Sequence, residues 1–534
     1  MKELLKKHRF IYFLTIVMSV ISSFLMAYFA VRLGKVIDAV VNNEGDLKRA
    51  IISCLVIITG WFIVVILFSF LKSTYIANVL KDAKDEMYHA LYRKNLNDYW
   101  AHTSEYYLNL FTKNIDIFTE NYLSPKCDIV SNVISAVVSI GFIFLINWKL
   151  GAAFVGVTVL TIMLSQLPGV IMARKTVSFS KQNESYLQAV TNQLHGFEQI
   201  KLLNVSDLFL TDYLEKDQNF EKSRKSFLFA SWFANNLGIF FSFFAQLLCM
   251  SIGIWFVMQG EITIGLLISA INLLNGVFNP VQMFAHNKNL MGTVGELREG
   301  FNQLLDTKTA KGCEISEPIH EISIAHLDLK YSEEKIVFED FNYCFEQGKK
   351  YAIIGESGRG KSTLMKLVMK YYPSSAYNGS IRINGIDLDR IKSESLYQRV
   401  ALIQKNDFLI SGSVMDNVRM HRQNLIDTTI LEQLNLSSKL LEKSIEASSR
   451  NVISSGEKQR VDIARFMISP YDVLIFDEPT SNLDSATQSM IFDMIFKLQN
   501  KMVIVITHTR DPKILSQFDE VLNLDEIRQK EQAI

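Results

Sequence analysis

Six long stretches of the chain contain no Asp, Glu, Lys or Arg and consist mostly of apolar residues. A helix needs about 20 such residues to cross the hydrocarbon core of a bilayer, and a helix buried in a soluble protein is rarely apolar on every face for so long. The pattern therefore predicts six membrane spans. We place them at about residues 10–31, 50–71, 129–148, 150–173, 228–258 and 262–286.

The first apolar run invites comparison with a cleaved signal peptide. It is longer than the apolar region of such a peptide, and no obvious small-residue cleavage site ends it, so we interpret it as a retained span. Four basic residues within residues 2–9 precede it and favour a cytoplasmic N-terminus. Because the number of spans is even, the C-terminal half is expected on the cytoplasmic side as well.

Two long polar segments, residues 72–128 and 174–225, separate the spans on this inner side. They contain almost no Gly or Pro and keep apolar residues at helical spacing. Loops of this length without secondary structure are uncommon in ordered proteins. We therefore predict that the membrane helices continue well into the cytoplasm, with short connections outside around residues 42–49, at residue 149 and at residue 261.

The pattern changes after about residue 290, where charged residues become frequent. Short β-rich runs alternate there with helical stretches, which predicts an α/β domain with a largely parallel sheet. The β-rich runs are residues 322–331, 350–354, 400–404, 473–476 and 502–507.

Residues 355–362 match the pattern G-x-x-x-x-G-K-S between a predicted strand and a predicted helix. Glycines in such a loop let backbone N–H groups surround phosphate oxygens at a helix N-terminus. Lys361 adds a positive charge for the β and γ phosphates, and the Ser362 hydroxyl is suited to Mg²⁺. The candidate ATP-binding residues of this segment are Gly355, Ser357, Gly358, Gly360, Lys361, Ser362 and Thr363.

Residues 473–478 form an apolar run that ends in two carboxylates. Asp477 is suited to hold Mg²⁺ through water, and Glu478 to act as a general base toward an attacking water. The alternative is a core strand that ends in an acidic turn, and the upstream phosphate loop disfavours it. The predicted fold is a membrane α-helical domain with six spans and long cytoplasmic helical extensions, followed by an α/β P-loop ATPase domain. We expect a transmembrane domain over residues 1–307, a linker over 308–318 and a nucleotide-binding domain over 319–534.

The composition argues against nucleic-acid binding and against a cysteine metal site. Lys and Arg number 55 and Asp and Glu also 55, so nucleic acid is not a favoured partner. The five cysteines have no metal-like spacing, and we expect all of them to be packing residues with reduced thiols.

Further motifs lie around the two ATP motifs in a fixed order. Residues 453–460, Ile-Ser-Ser-Gly-Glu-Lys-Gln-Arg, resemble the signature sequence of ABC transporters, and residues 481–484 are similar to the D-loop of that family. His508 after Thr507 matches its switch histidine, and Gln404 its Q-loop glutamine. With six spans ahead of these motifs, the chain resembles an exporter-type half-transporter, with one membrane domain fused to one nucleotide-binding domain.

The resemblance implies a site shared between two copies. ATP held by Lys361 of one copy would be covered by Ser454 and Gly456 of the other, so the chain is expected to act as a dimer. Hydrolysis would use Glu478 as base, with His508 contacting the γ phosphate. The remaining roles carried over are adenine stacking by Tyr331, ATP contact by Asp484, and a catalytic and Mg²⁺-binding role of Gln404 beside Ser362 and Asp477. Turns near residues 99–104 and 205–211 match the family's coupling helices.

Two positions depart from the family's signature. Ser455 replaces its first glycine and Glu457 its glutamine, and we expect the added side chain to weaken closure of the ATP site. Because Glu478 and His508 are both present, we favour a homodimer over a pair with a close paralogue.

The last predicted span carries a polar stripe. Its members are Asn272, Asn275, Asn279, Gln282 and His286. At about 100° per residue they fall within roughly an 80° arc, which suits the interior of a bundle. We predict that they line the substrate cavity, with interhelical hydrogen bonding as the alternative.

The cargo is left open by the sequence. Compact bacterial half-transporters with similarly diverged signatures often export small peptides, so a peptide is favoured and another protein would have to process it. Multidrug or lipid export is the alternative. A hypothesis of another class is an ATP-gated regulator or channel-like protein without pumped cargo. A soluble-type ATPase merely anchored to the membrane is disfavoured by the six spans.

Overall fold

The computed structural model describes residues 6–41, 47–165, 169–305, 312–332, 335–405, 408–422, 428–446, 453–481 and 485–526. The chain packs as two units. The first consists of Met1–Tyr88 and Leu108–Leu305, and the second of His89–Tyr107 and Asp306–Ile534. A short segment of the N-terminal half therefore packs with the C-terminal unit.

The described part of the N-terminal half consists of helices joined by short turns. Its helices are α1 (Arg9–Val41), α2 (Leu47–Tyr92), α3 (Leu96–Trp100), α4 (Ser104–Phe111), α5 (Lys113–Phe118), α6 (Ser124–Ile146), α7 (Trp148–Ser165), α8 (Gly169–His195), α9 (Phe197–Leu202), α10 (Ser206–Met258), α11 (Ile264–Gly292) and α12 (Gly295–Leu305), with a π-helical turn at Thr119–Leu123. At about 1.5 Å per residue, the 46 residues of α2 and the 53 of α10 reach far beyond a bilayer core of about 30 Å. The prediction of long helical extensions is confirmed.

Four of the described helical stretches are long and apolar enough to cross a membrane: Arg9–Val41, Leu47–Tyr92, Ser104–Ile146 and Ser206–Met258. The fourth and sixth predicted spans fall on shorter apolar helices, Trp148–Thr161 and Ile264–Pro280. The chain is thus a multi-pass membrane protein.

The turn between α6 and α7 lies at Asn147, two residues before the predicted connection. Its side-chain oxygen accepts the backbone N–H groups of Lys149 and Leu150 at 2.9 and 3.1 Å, and so caps the start of α7. The absence of charge in the two apolar runs gave no sign of this cap, which explains the misplaced connection.

Helices α1, α6 and α11 pack closely through small residues. A Cβ added to Gly276 of α11 would lie 2.2 Å from the Ser139 hydroxyl oxygen of α6. One added to Gly265 would lie 2.1 Å from the carbonyl oxygen of Gly34 in α1. Asp38 of α1 also accepts the backbone N–H of Gly265 at 2.8 Å. The first turn of α11 is therefore fixed against α1.

The C-terminal unit contains eleven described strands: β1 (Glu321–Ser332), β2 (Lys335–Glu346), β3 (Lys350–Ile354), β4 (Tyr377–Ile383), β5 (Ile386–Asp387), β6 (Val400–Ile403), β7 (Gly412–Ser413), β8 (Ser444–Ile445), β9 (Val473–Asp477), β10 (Met502–Ile506) and β11 (Glu520–Asn523). Five form a parallel sheet in the order β11-β3-β10-β9-β6. Four others form an antiparallel sheet in the order β2-β1-β4-β5, and β7 pairs with β8. The predicted α/β domain is confirmed.

Helices complete this unit. They are α13 (Lys361–Val368), α14 (Ser393–Arg399), α15 (Val414–Arg419), α16 (Thr428–Gln433), α17 (Ser438–Leu441), α18 (Ser455–Met467), α19 (Ser485–Lys497) and α20 (Pro512–Leu515), with short 3-10 turns at Ser374–Ala376 and Leu388–Arg390.

Strands β9 and β10 form the centre of the parallel sheet. Their apolar residues are buried on both faces, as helix-covered parallel strands require. Asp477 pairs in register with Ile506, so the residues that follow the two strands meet at one edge. Open parallel sheets bind ligands at this edge.

The cysteine prediction is only partly right. Cys54, Cys127 and Cys249 are buried, but Cys313 and Cys344 are exposed. Cys344 lies on β2 between the more buried Tyr343 and Phe345, so the two-residue period of the strand turns its thiol outward.

Candidate nucleotide-binding site

The phosphate loop follows β3 and turns through three glycines with positive φ before α13 begins. Gly355 has φ 151°, Gly358 φ 83° and Gly360 φ 90°, a backbone conformation that strongly favours glycine. A Cβ at Gly360 would also lie 2.6 Å from Val337 Cγ1. No side chain covers the backbone at these three glycines just before α13. Phosphate oxygens can therefore approach the N-terminus of the helix.

Lys361 is the first residue of α13 and is buried. Its ammonium donates to the carbonyl oxygens of Gly355 at 2.7 Å and Glu356 at 2.8 Å. Burial lowers the pKa of Lys361, and the charges of Glu478, Asp525 and Asp477 oppose that shift. The positive charge is thus held within the loop, where phosphate would meet it.

The three residues predicted to hold a metal ion converge on one carboxylate. Ser362 donates its hydroxyl to Asp477 Oδ1 at 2.9 Å, and the Gln404 amide donates to Asp477 Oδ2 at 3.0 Å. Hydroxyl, carboxylate and amide oxygens are the ligands that Mg²⁺ prefers. Among the described residues, no group of three or more His, Cys, Asp and Glu forms a separate metal site. The donor set therefore fits a Mg²⁺ ion that is completed by phosphate and water.

Glu478 and His508 lie beside each other at the ends of β9 and β10. His508 Nε2 is 2.9 Å from Glu478 Oε1, and both side chains are exposed to solvent. Glu478 has φ 54°, and its N–H donates to the carbonyl oxygen of Ile506 at 3.0 Å. A left-handed conformation outside glycine is strained, so the neighbouring strand holds this carboxylate in place.

The signature residues form the start of α18. The Ser454 hydroxyl accepts the N–H of Glu457 at 3.2 Å, and the Glu457 carboxylate accepts the N–H of Ser454 at 2.6 Å. Burial raises the pKa of Glu457, but its hydrogen bonds with Ser454 outweigh this and hold the pKa below its usual value. Ser455 and Gly456 follow in the first turn. These two hydrogen bonds form a capping box. Glu457, which replaces the glutamine of the family's signature, therefore has a structural role at the start of α18.

One hydrogen bond joins the signature helix to the segment after the acidic motif, and a second closes a turn within that segment. Gln459 of α18 donates to the carbonyl oxygen of Pro479 at 2.6 Å. Ser481 donates its N–H to the carbonyl oxygen of Glu478 at 3.2 Å. The segment after Glu478 is therefore fixed to α18. Asp484 lies outside the described residues, and Tyr331 lies on β1 with its side chain outside them as well.

A cavity of about 870 Å³ lies in the same unit, between the short helix α3 and the nucleotide domain. Its lining includes Trp100 of α3, Gln404, Phe408 and Arg465. At the start of α3, the side-chain oxygen of Asn95 accepts the Ser393 hydroxyl at 2.7 Å. Trp100 and Ala101 of the predicted coupling segment thus line the same cavity as Gln404.

Two contacts near the site were not predicted from the sequence. Arg465 of α18 is buried with Asp462, and Asp525 after β11 contacts the phosphate loop. Neither residue belongs to a sequence motif that would have identified it.

The polar stripe lies on the α11 face opposite the side that packs within its own unit. Ala270, Leu273, Leu274 and Val277 are buried, whereas Asn272, Asn275, Asn279 and His286 are exposed. Asn272 donates to the carbonyl oxygen of Ile268 in its own helix at 3.0 Å. The side chain of Gln282 is outside the described residues.

The fold and the site define a membrane protein whose helical domain is fused to a P-loop ATPase domain. Comparison with known families agrees. The model of the ABC transporter transmembrane region matches residues 12–281, and that of the ABC transporter domain matches residues 338–481. Since the first match alone covers half of the chain, the chain belongs to the ABC transporter family and has the make-up of a half-transporter.

Several relatives can be compared with the chain. The uncharacterized ABC transporter ATP-binding protein YwjA of Bacillus subtilis is 24% identical over 71% of this chain and 68% of its own length. The lactococcin-A transport/processing ATP-binding protein LcnC of Lactococcus lactis is 25% identical over 71% of this chain and 55% of its own, so the chain spans about half of that relative. The ATP-dependent lipid A-core flippase of Neisseria gonorrhoeae is 30% identical over 48% of this chain and 43% of its own length.

A solved structure has the same fold. A bacterial Atm1-family ABC exporter with ATP bound superimposes with a TM-score of 0.77, covering 98% of this chain and 96% of its own, at 18% identity.

Proposed function

We propose that the protein exports a substrate from the cytoplasm across the cell membrane by alternating access, driven by ATP hydrolysis at two sites between the nucleotide domains of a dimer. The observation that carries this proposal is the convergence of Lys361, Ser362, Asp477, Glu478 and His508 at one sheet edge of a chain that also crosses the membrane. The nucleotide domain and the N-terminus lie in the cytoplasm under this proposal, as the basic residues before α1 favour.

Each group at the sheet edge has a chemical role in this scheme. The loop N–H groups and Lys361 bind the phosphates, and Ser362, Asp477 and Gln404 hold Mg²⁺, which neutralises charge on the phosphates when bound. Glu478 takes a proton from the attacking water, and the imidazole of His508 orients that carboxylate and contacts the γ phosphate.

The partner is proposed to be a second copy of the chain. Ser454, which is exposed, and Gly456 lie at the start of α18 and would cover the ATP of the partner copy. The second inner turn, between α9 and α10, presents Leu202 and Leu203 with 78% and 72% of their surface exposed. Apolar side chains this exposed outside a membrane mark an interaction surface. The intact Glu478 and His508 pair supports a homodimer over a pair with a degenerate paralogue.

The cargo is proposed to enter a cavity lined by the polar stripe of α11. Asparagines facing lipid would be costly, whereas the same residues in a water-filled cavity of a dimer are satisfied. A small peptide is the favoured cargo, because the lactococcin-A transporter of Lactococcus lactis is among the relatives. Lipid or multidrug export is the alternative, supported by similarity to a lipid A-core flippase.

The decisive experiment measures ATP hydrolysis by the full-length protein in lipid nanodiscs. Glu478→Gln is expected to lower the rate by about 10²- to 10⁴-fold, the usual contribution of a general base, while ATP still binds. Glu432→Gln, an exposed carboxylate on α16, is the matched control and should leave the rate unchanged. Wild-type protein without hydrolysis would favour the ATP-gated regulator instead.

A substrate panel then separates the cargo classes. Peptides, lipids and dyes are added in turn, and stimulation by one class identifies the cargo. Asn279→Leu should abolish that stimulation, and Asn279→Gln should keep most of it because it retains the amide. Equal stimulation of both variants and wild type would contradict the proposal that the polar stripe lines the substrate cavity.

A further inference from the structure

A carboxylate near the end of the described chain contacts the phosphate loop. Asp525 accepts the backbone N–H of Glu356, with its two oxygens at 3.0 and 3.3 Å. It also pairs with Arg359 of the same loop, whose Nε lies 3.1 Å from Asp525 Oδ1. Arg359 reaches the Glu356 carboxylate at 3.2 Å as well. The loop is therefore held by one backbone hydrogen bond and two ion pairs.

The sheet places Asp525 at this position. Strand β11 runs parallel to β3, and Asn523 pairs in register with Ile354. The residues that follow the two strands consequently lie side by side. The side-chain oxygen of Asn523 accepts the N–H of Asp525 at 3.1 Å. This hydrogen bond fixes the backbone of Asp525 just after the end of β11. The Cβ that Gly355 lacks would lie 3.5 Å from Asp525 Oδ1, in ordinary contact.

A negative charge beside a phosphate loop is unfavourable unless it is matched. The guanidinium of Arg359, whose Nε lies 3.1 Å from Asp525 Oδ1, matches it. Hydrogen bonds to an ionised acceptor are about twice as strong as neutral ones. The contact therefore fixes the backbone of the loop at Glu356, its second residue.

We propose that Asp525 is a positioning residue for ATP, which acts by holding Glu356 and Arg359 so that the phosphate loop is ordered before ATP arrives. This inference rests on the proposed ATP-binding function of the loop. Ordering a loop on binding costs affinity, so a loop that is ordered beforehand binds ATP more tightly.

The test compares Asp525→Ala, Asp525→Asn and Glu520→Gln in full-length protein in nanodiscs. Glu520 lies at the other end of β11, where it pairs with Lys349 at 2.9 Å, so its variant removes a comparable charge from the same strand. Asp525→Ala should raise KM for ATP about tenfold with kcat within twofold of wild type. Asp525→Asn, which keeps an oxygen acceptor, should raise KM about threefold, and Glu520→Gln should leave it unchanged.

Binding of Mg-ATP in a Glu478→Gln background separates this inference from the proposed function, because it requires neither hydrolysis nor transport. A tenfold rise in the dissociation constant with Asp525→Ala supports the positioning role even if no cargo is found. Equal dissociation constants for Asp525→Ala and Glu520→Gln would overturn it. A lower kcat and a lower unfolding temperature at unchanged KM would also overturn it, since they indicate a structural role only. If Asp525→Ala does not fold, the threefold change with Asp525→Asn decides the matter.

Discussion

Replacing Arg465 by Met is expected to destabilise the nucleotide domain strongly. Arg465 lies on α18 and pairs with Asp462 at 2.5 Å, and only 7% and 6% of the two side chains are exposed. Its Nε donates to the carbonyl oxygen of Asn417 at 2.7 Å, and a terminal nitrogen donates to that of Phe408 at 2.8 Å. The guanidinium thus joins the signature helix to α15 and to the segment that follows Gln404.

The magnitude follows from burial. Desolvation lowers the pKa of Arg465, and the Asp462 charge opposes that shift without cancelling it. Methionine fills a similar volume, but it lacks the positive charge of arginine and leaves the buried Asp462 carboxylate without its partner. Breaking one side of a buried ion pair costs about 3–5 kcal/mol. Asp462→Asn combined with Arg465→Met removes both charges and should recover most of the loss.

Hydrogen exchange of the α18 amides measures this change in the intact protein. A loss of about 3 kcal/mol speeds exchange through local opening by roughly a hundredfold. The matched control is Arg399→Met, because Arg399 pairs with Asp472 at 3.3 Å with 31% and 16% of the side chains exposed. A pair this exposed contributes about 1 kcal/mol or less. Similar exchange in the two single variants would refute the reasoning from burial.

Two other predictions follow from packing and charge. Glu457→Gln removes a negative charge from the start of α18, which is proposed to cover the ATP of the partner copy. Half-maximal ATPase activity should therefore need about fivefold less ATP at low salt. An advantage that persists undiminished at high salt would contradict an electrostatic cause. Gly276→Ala places a Cβ 2.2 Å from the Ser139 hydroxyl oxygen and should lower the unfolding temperature of the membrane domain, at a cost of about 1–3 kcal/mol. Gly60→Ala, which meets nothing within 4 Å, should leave that temperature unchanged.

Much of the fold can be predicted from the sequence because long stretches of the chain have a regular hydrophobic or polar pattern. Runs without charge locate the membrane helices, and the absence of Gly and Pro predicts the extensions that α2 and α10 display. The antiparallel sheet of β2, β1, β4 and β5 was not predicted. The β-rich run at residues 322–331 coincides with β1, but the sequence did not indicate its partners. Strand β2 follows β1 directly, whereas β4 pairs with β1 at a distance in the chain, as Ile322 with Ile383, and no contiguous pattern marks that pairing.

The ATP motifs were predictable because each is contiguous in sequence, as at Lys361 and Asp477. Contacts that depend on the order of strands were not. Asp525 meets the phosphate loop across 169 residues, and Arg465 meets Asn417 across 48. Glu457 had a local signal, since Ser followed three residues later by Glu marks a capping box at a helix start.

The central claim is that two copies share each ATP site, and mixed dimers test it most directly. One copy carries Lys361→Ala and the other Gly456→Asp, and dimers with both are purified through two different tags and assayed for ATPase activity in lipid. The account predicts that either homodimer is inactive and the mixed dimer regains about half of wild-type activity, because one site is then intact. When both changes are in one copy beside a wild-type partner, no site is intact and activity should be absent. An inactive first mixture together with an active second one would show that each copy holds a complete site, and would contradict the account.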